Sequence, residues 1–122
     1  MSLRLYQLAV DAADPAALAR FWARALGYRV LLETPEEVVI GADETAYPGI
    51  VFVPVPESTS GKNRLHLDLA PDDQAAAQVA RLLALGATRV DVGQPAEASW
   101  VVLADPEGNE FCVLSPKKSL TA

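Results

Sequence analysis

The chain has 122 residues and a mass of 13.0 kDa, is 51% hydrophobic, and sets 16 Asp and Glu against 10 Lys and Arg for a formal net charge of -6. A chain of this length buries roughly two-thirds of the surface it exposes when unfolded, so a real core is available, and an acidic field without a basic stripe argues against a nucleic-acid partner. Apolar runs such as 51–53 fall far short of the ~20 residues that cross a bilayer, and the first residues read as a strand and not as a signal peptide, so no membrane partner and a cytoplasmic location are expected. The single cysteine, Cys112, excludes an intrachain disulfide and a metal site of several thiolates.

From Leu3 to Val10 the apolar and polar residues alternate, which predicts a half-buried strand with Leu8 and Val10 on one side and Gln7 and Ala9 on the other. Asp14-Pro15 then opens a helix, since a carboxylate accepts from the unpaired first-turn amides and proline already has a helical φ. Leu18, Phe21, Trp22, Ala25 and Leu26 recur at three and four along it and form one apolar face, and Gly27 closes it. Short strands follow over 28–33 and 37–40 around a turn at Thr34-Pro35, and a third over 49–55 is apolar enough to be covered on both faces. The segment 56–63 is polar and rich in turn formers, and reads as the one internal linker.

The second half repeats this grammar: a strand over 64–69, a helix over 71–85 opened by Asp72-Asp73 and closed by Gly86, and strands over 87–92, 100–104 and 110–114. Both halves read β-α-β-β-β. Asp14 and Asp73, Leu26 and Leu85, Gly27 and Gly86, and Phe52 and Phe111 are each 59 residues apart, the mark of an internal repeat. The expected fold is α+β: two tandem βαβββ modules over about 3–56 and 64–115 in one domain, with curved mixed sheets around one concave pocket and the helices outside.

Paired modules of this kind, with Gly61-Lys62-Asn63-Arg64-Leu65-His66-Leu67-Asp68-Leu69 opening the second half and Asp105-Pro106-Glu107-Gly108-Asn109-Glu110-Phe111-Cys112-Val113-Leu114 near the end, resemble the vicinal oxygen chelate superfamily of glyoxalases, extradiol dioxygenases and bleomycin and fosfomycin resistance proteins. The resemblance is greatest to small bacterial glyoxalase-like domains and covers Leu5 to Leu114. In metal-using members four positions converge on one ion, and here the resemblance carries them to Gln7, Val53, His66 and Cys112. Valine ligates nothing, and a cysteine stands where those members have glutamate. Hard divalent ions need carboxylate and imidazole donors, so the expectation is that no metal cofactor is bound. The alternative is a divalent ion, Zn²⁺ above all, held by Gln7, His66 and Cys112 with the Val53 position left open.

His66 is the only histidine, and alternation sets it with Arg64 and Asp68 on the face opposite Leu65, Leu67 and Leu69. It reads either as a general acid/base or substrate hydrogen-bond donor, or as a polar group bridging Gln7 across two paired strands. Cys112 reads as a small buried hydrophobe in preference to a nucleophile activated by His66. Glu110 shares its face and offers a carboxylate for catalysis, or is a solvated rim residue. Asp11 points inward near its strand end and serves the turn into the first helix. Trp100 supplies an aromatic wall for a flat ligand, or packs in the core. The turn at 105–109 sets the register of the strand that bears Cys112.

These readings imply a pocket for a small organic molecule lined by Gln7, Val53, His66, Asp68, Trp100 and Cys112. Its rivals are metal-free drug sequestration, a lyase, isomerase or dioxygenase working through His66 with Glu110 or a metal, and a module whose pocket is vestigial. A homodimer is expected from the resemblance and from open sheet edges.

Overall fold

The computed structural model of the protein describes residues 2–56, 64–91 and 99–121. The chain divides into two compact units, Met1–Thr59 and Ser60–Ala122, with the division inside the expected linker. All but Pro56 of that linker lies outside the described residues.

The first unit runs β1 (Gln7–Ala12), α1 (Pro15–Leu26), β2 (Arg29–Thr34), β3 (Glu37–Gly41) and β4 (Gly49–Pro54). Its sheet has the order β1-β4-β3-β2, with β1 parallel to β4 and the other pairs antiparallel. The helix forms as its sequence dictates. Asp14 caps it by accepting from the Ala17 amide at 3.1 Å, Pro15 occupies the first turn, and Gly27 ends it with φ 69°, a left-handed conformation that glycine adopts without steric cost. Leu18, Ala19, Phe21, Trp22 and Ala23 are buried along it, as are Val38, Ile40, Ile50, Val51 and Phe52 in the sheet. Strand β4 is thus covered on both faces over 50–52, as its unbroken apolar run predicts.

The second unit runs β5 (Leu67–Leu69), α2 (Ala75–Leu85), β6 (Thr88–Arg89), β7 (Val101–Ala104) and β8 (Glu110–Val113). Its sheet order, β5-β8-β7-β6 with β5 parallel to β8, copies the first. Leu103, Phe111 and Val113 are buried in the sheet, and Val79 and Leu82 on the helix. Two modules of identical topology confirm the expected duplication and the α+β class.

Several expected boundaries move. The first strand begins at Gln7 and not Leu3, because Leu3 is 93% exposed and has no sheet neighbour to bury it. It continues through Asp11, which pairs with Val53 inside the ladder; the turn into α1 is capped by Asp14 alone. The second helix starts three residues after Asp72, with Gln74 at its cap and no side-chain cap hydrogen bond. The strand expected over 64–69 begins only at Leu67, so His66 sits at its threshold. The strand expected over 87–92 pairs only at Thr88 and Arg89, and Val92 lies outside the described residues. Trp100 lies just ahead of β7.

The 59-residue repeat also acquires a limit. Val10 pairs with Phe52 in the first module, whereas Leu67 pairs with Phe111 in the second. The fourth strands are related by 59 positions and the first strands by 57. The link before the helix is longer in the second module: two residues, Ala13 and Asp14, join β1 to α1 and five, 70–74, join β5 to α2, the helix itself starting one residue later in its repeat. By ladder position His66 therefore corresponds to Ala9 and not to Gln7. Both lie on the same face, since a shift of two preserves the alternation of a strand.

Candidate functional site

The candidate residues divide between the modules. Gln7 and Val53 belong to the first, on the face that also carries Ala9 and Asp11: Asp11 is opposite Val53 and Gln7 opposite Gly49. His66, Asp68, Trp100, Glu110 and Cys112 belong to the second. There the register fixes a common face, because Asp68 is opposite Cys112, Cys112 is opposite Val102, and Ala104 is opposite Glu110. The other face carries Leu67, Phe111 and Leu103 in one row, and this is the apolar face that the alternation of β5 predicts.

On the polar face three side chains meet. The Nε2 atom of His66 lies 3.2 Å from Oδ1 of Asp68, two residues along the same strand direction, and both side chains are half exposed, at 53% and 51%. Cys112 reaches the same carboxylate from the neighbouring strand, and one ligand atom from each of His66, Asp68 and Cys112 lies within 4.8 Å of the others. Burial pushes the Cys112 thiol above its ordinary value, and the charges of Asp68 and Glu110, with a hydrogen bond from the thiol to Asp68, act in the same direction. A thiol held in its protonated form is a poor nucleophile. Cys112 is half-buried and not fully enclosed.

Trp100 is 37% exposed, next to Val102 and Ala104, which are buried. Its indole is thus neither a core residue nor fully solvated. The turn that delivers β8 is tightly built. Asp105 is 3% exposed, and its Oδ1 accepts from the backbone amides of Glu107 and Asn109, each at 2.9 Å, while Asn109 Nδ2 donates to Oδ2 at 2.9 Å. Gly108 donates its amide to the Asp105 carbonyl at 2.9 Å with φ 88°. This turn is structural, as its composition implies, and it fixes where Glu110 and Cys112 enter the ladder.

Sequence reading placed Asp68 on the polar face without joining it to Cys112. The pairing lies in the β5–β8 register, and no residue spacing in the chain encodes that directly.

The arrangement defines a class of protein: a duplicated βαβββ chain whose second sheet presents an imidazole, a carboxylate and a thiol on one face. The family model of the glyoxalase-like domain matches residues 7–114, and the chain belongs to that family. Solved structures share the fold. A glyoxalase/bleomycin resistance protein/dioxygenase family enzyme from Burkholderia phytofirmans PsJN is 21% identical with a TM-score of 0.75, covering 94% of this chain and 100% of that one. The fosfomycin resistance protein FosX from Mesorhizobium loti is 16% identical with a TM-score of 0.72, covering 99% and 97%. A lactoylglutathione lyase from Agrobacterium tumefaciens is 19% identical with a TM-score of 0.63, covering 94% and 95%. No curated protein matches the chain. No described helix is long and apolar enough to cross a membrane.

The four positions that the resemblance carries to a metal do not fit a hard divalent ion. Val53 is a hydrocarbon in the β1–β4 ladder, and Cys112 offers a protonated thiol that already donates to Asp68. Carboxylate-rich, oxygen-preferring coordination cannot be assembled from Gln7, Val53, His66 and Cys112.

Proposed function

We propose that the protein binds a small organic molecule on the face of the second module that carries His66, Asp68, Cys112 and Trp100, without the four-donor metal site of its superfamily. The observation that supports this reading is the composition of one face of the second sheet: an imidazole–carboxylate pair at 3.2 Å, with a partly exposed indole just ahead of β7. A few convergent polar groups next to an aromatic surface are what a pocket for a small ligand requires. The imidazole–carboxylate pair supplies orientation and the indole supplies contact area.

The neighbours' names suggest the probes: fosfomycin, bleomycin and S-lactoylglutathione. Each is titrated against the protein while thermal unfolding is followed. A ligand at a hundred times its Kd stabilises the native state by about 2.7 kcal/mol, which for a chain of this size raises Tm by roughly 10 °C. Trp100→Phe and His66→Ala should each reduce that rise. A panel without any saturable shift, or a shift untouched by both variants, refutes the reading.

A further inference from the structure

We infer that a patch of the first module formed by Arg4, Tyr6, Glu44 and Tyr47 is a docking surface whose occupant is the same patch on a second copy of this chain. The inference uses none of the residues of the ligand-binding reading and does not depend on it.

The patch is assembled by the sheet. The Gly49 amide donates to the Tyr6 carbonyl at 3.1 Å, which fastens the residue before β1 to the start of β4. Tyr47, two residues ahead of Gly49, is thereby brought beside Tyr6, with ring centroids 5.5 Å apart and planes tilted by 36°, a separation at which aromatic rings attract. The Arg4 guanidinium lies 4.9 Å from the centre of the Tyr47 ring, within cation–π range. The loop that delivers Tyr47 is set by Asp43, whose Oδ1 accepts from the Thr45 amide at 2.8 Å and the Thr45 hydroxyl at 3.1 Å. Asp43 is thus turned onto its own loop, and Glu44, the next residue, is exposed.

These groups are ordered against one another and yet open to solvent. Tyr6 is 62% and Tyr47 45% exposed, and Leu5, between Arg4 and Tyr6, is exposed as well. Among the described residues no carboxylate pairs with Arg4. Two tyrosines and an arginine held together on an exposed apolar stretch have the composition of the centre of a protein interface.

Charge selects the occupant. A contact across a two-fold axis sets one patch against itself, so the patch must contain its own complement. This one does: Arg4 supplies a cation, and Glu44, three residues ahead of Tyr47, supplies an anion. Across the axis each Arg4 meets Glu44 of the partner subunit, and the pair forms twice, with the tyrosines packed between. Copies of a chain with a net charge of -6 repel one another at long range, and a patch that carries both signs offsets that repulsion where they touch.

The test is sedimentation equilibrium of the full chain without any ligand. We expect a reversible dimer with Kd between about 1 µM and 1 mM, as suits a small, partly polar interface. Arg4→Glu and Glu44→Arg should each raise Kd at least about tenfold, and the two together, which restore opposite charges across the axis, should return it to within about threefold of the unmodified protein. Tyr47→Ala should raise Kd at least about tenfold. All three side chains are exposed, so the circular dichroism spectra of the variants should superimpose on that of the unmodified protein. A chain that stays monomeric at about 1 mM, a dimer indifferent to both charge reversals, as one built on a sheet edge would be, or a combined variant no tighter than either single one would overturn the inference. The small-molecule panel above is read by thermal unfolding, and its result has no bearing on this one.

Discussion

Asp105→Ala tests the claim that the turn before β8 holds the site strand in place. The carboxylate is 3% exposed and accepts from two backbone amides at 2.9 Å, with a further bond from Asn109 Nδ2 at 2.9 Å. Alanine removes every one of these acceptors and leaves the Glu107 and Asn109 amides without that partner. A hydrogen bond to a charged group contributes about 1.5–3 kcal/mol net, so losing the two backbone bonds at the low end of that range costs about 3 kcal/mol. For a chain of this size the loss lowers Tm by roughly 10 °C. Urea denaturation followed by circular dichroism measures it directly, with an unchanged m-value showing that the denatured state is unaffected. Asp105→Asn keeps one acceptor oxygen and should lose about half as much. A loss below about 1 kcal/mol for the alanine variant would mean that water replaces the carboxylate in the turn, and the argument for this knot as the anchor of β8 would fail.

The remaining predictions concern a cap and a thiol. Asp14→Ala should cost about 1 kcal/mol, since the Ala17 amide loses its partner, whereas Asp73→Ala should stay within about 0.5 kcal/mol, because Gln74 caps α2 without a side-chain bond; chemical denaturation of both variants gives the comparison. Alkylation of Cys112 should be slower than that of a free thiol at neutral pH, with its rate inflecting at higher pH, because burial and the nearby carboxylates raise the thiol. Asp68→Asn should move that inflection down without restoring the free value, burial being the larger cause. The sign for stability follows: the native thiol holds its proton more tightly than the unfolded chain does, so its contribution is complete below the unfolded value and lost as pH rises through the native one.

Much of this fold was legible because its signals are local. The strand alternation over 7–10, the Asp14-Pro15 helix start, Gly27 and Gly86, and the 59-residue spacing of Phe52 and Phe111 all act within one element or repeat one unit. What was not legible depends on distance. Asp73 matches Asp14 in sequence yet caps nothing, because a longer link precedes α2 and the helix begins at Ala75. The two-residue difference in register between Val10↔Phe52 and Leu67↔Phe111 leaves every face unchanged, so no hydrophobic pattern could reveal it. The same is true of the site. His66, Asp68 and Cys112 were each identifiable as face-sharing residues, but their meeting requires a pairing between segments more than forty residues apart.

That pairing bears on how the site can be lost. Leu67 and Phe111 are 44 positions apart, and the β5–β8 ladder joins them through only three residue pairs. Ala104 and Glu110, across the β7–β8 turn, are six apart. Closing the longer loop carries the greater entropic cost and is offset by fewer residue pairs than join β7 to β8. A perturbation that frees β5 parts His66 and Asp68 from Cys112 while the β7–β8 hairpin and its Asp105 knot stay closed. The module can surrender its chemistry without surrendering the greater part of its sheet.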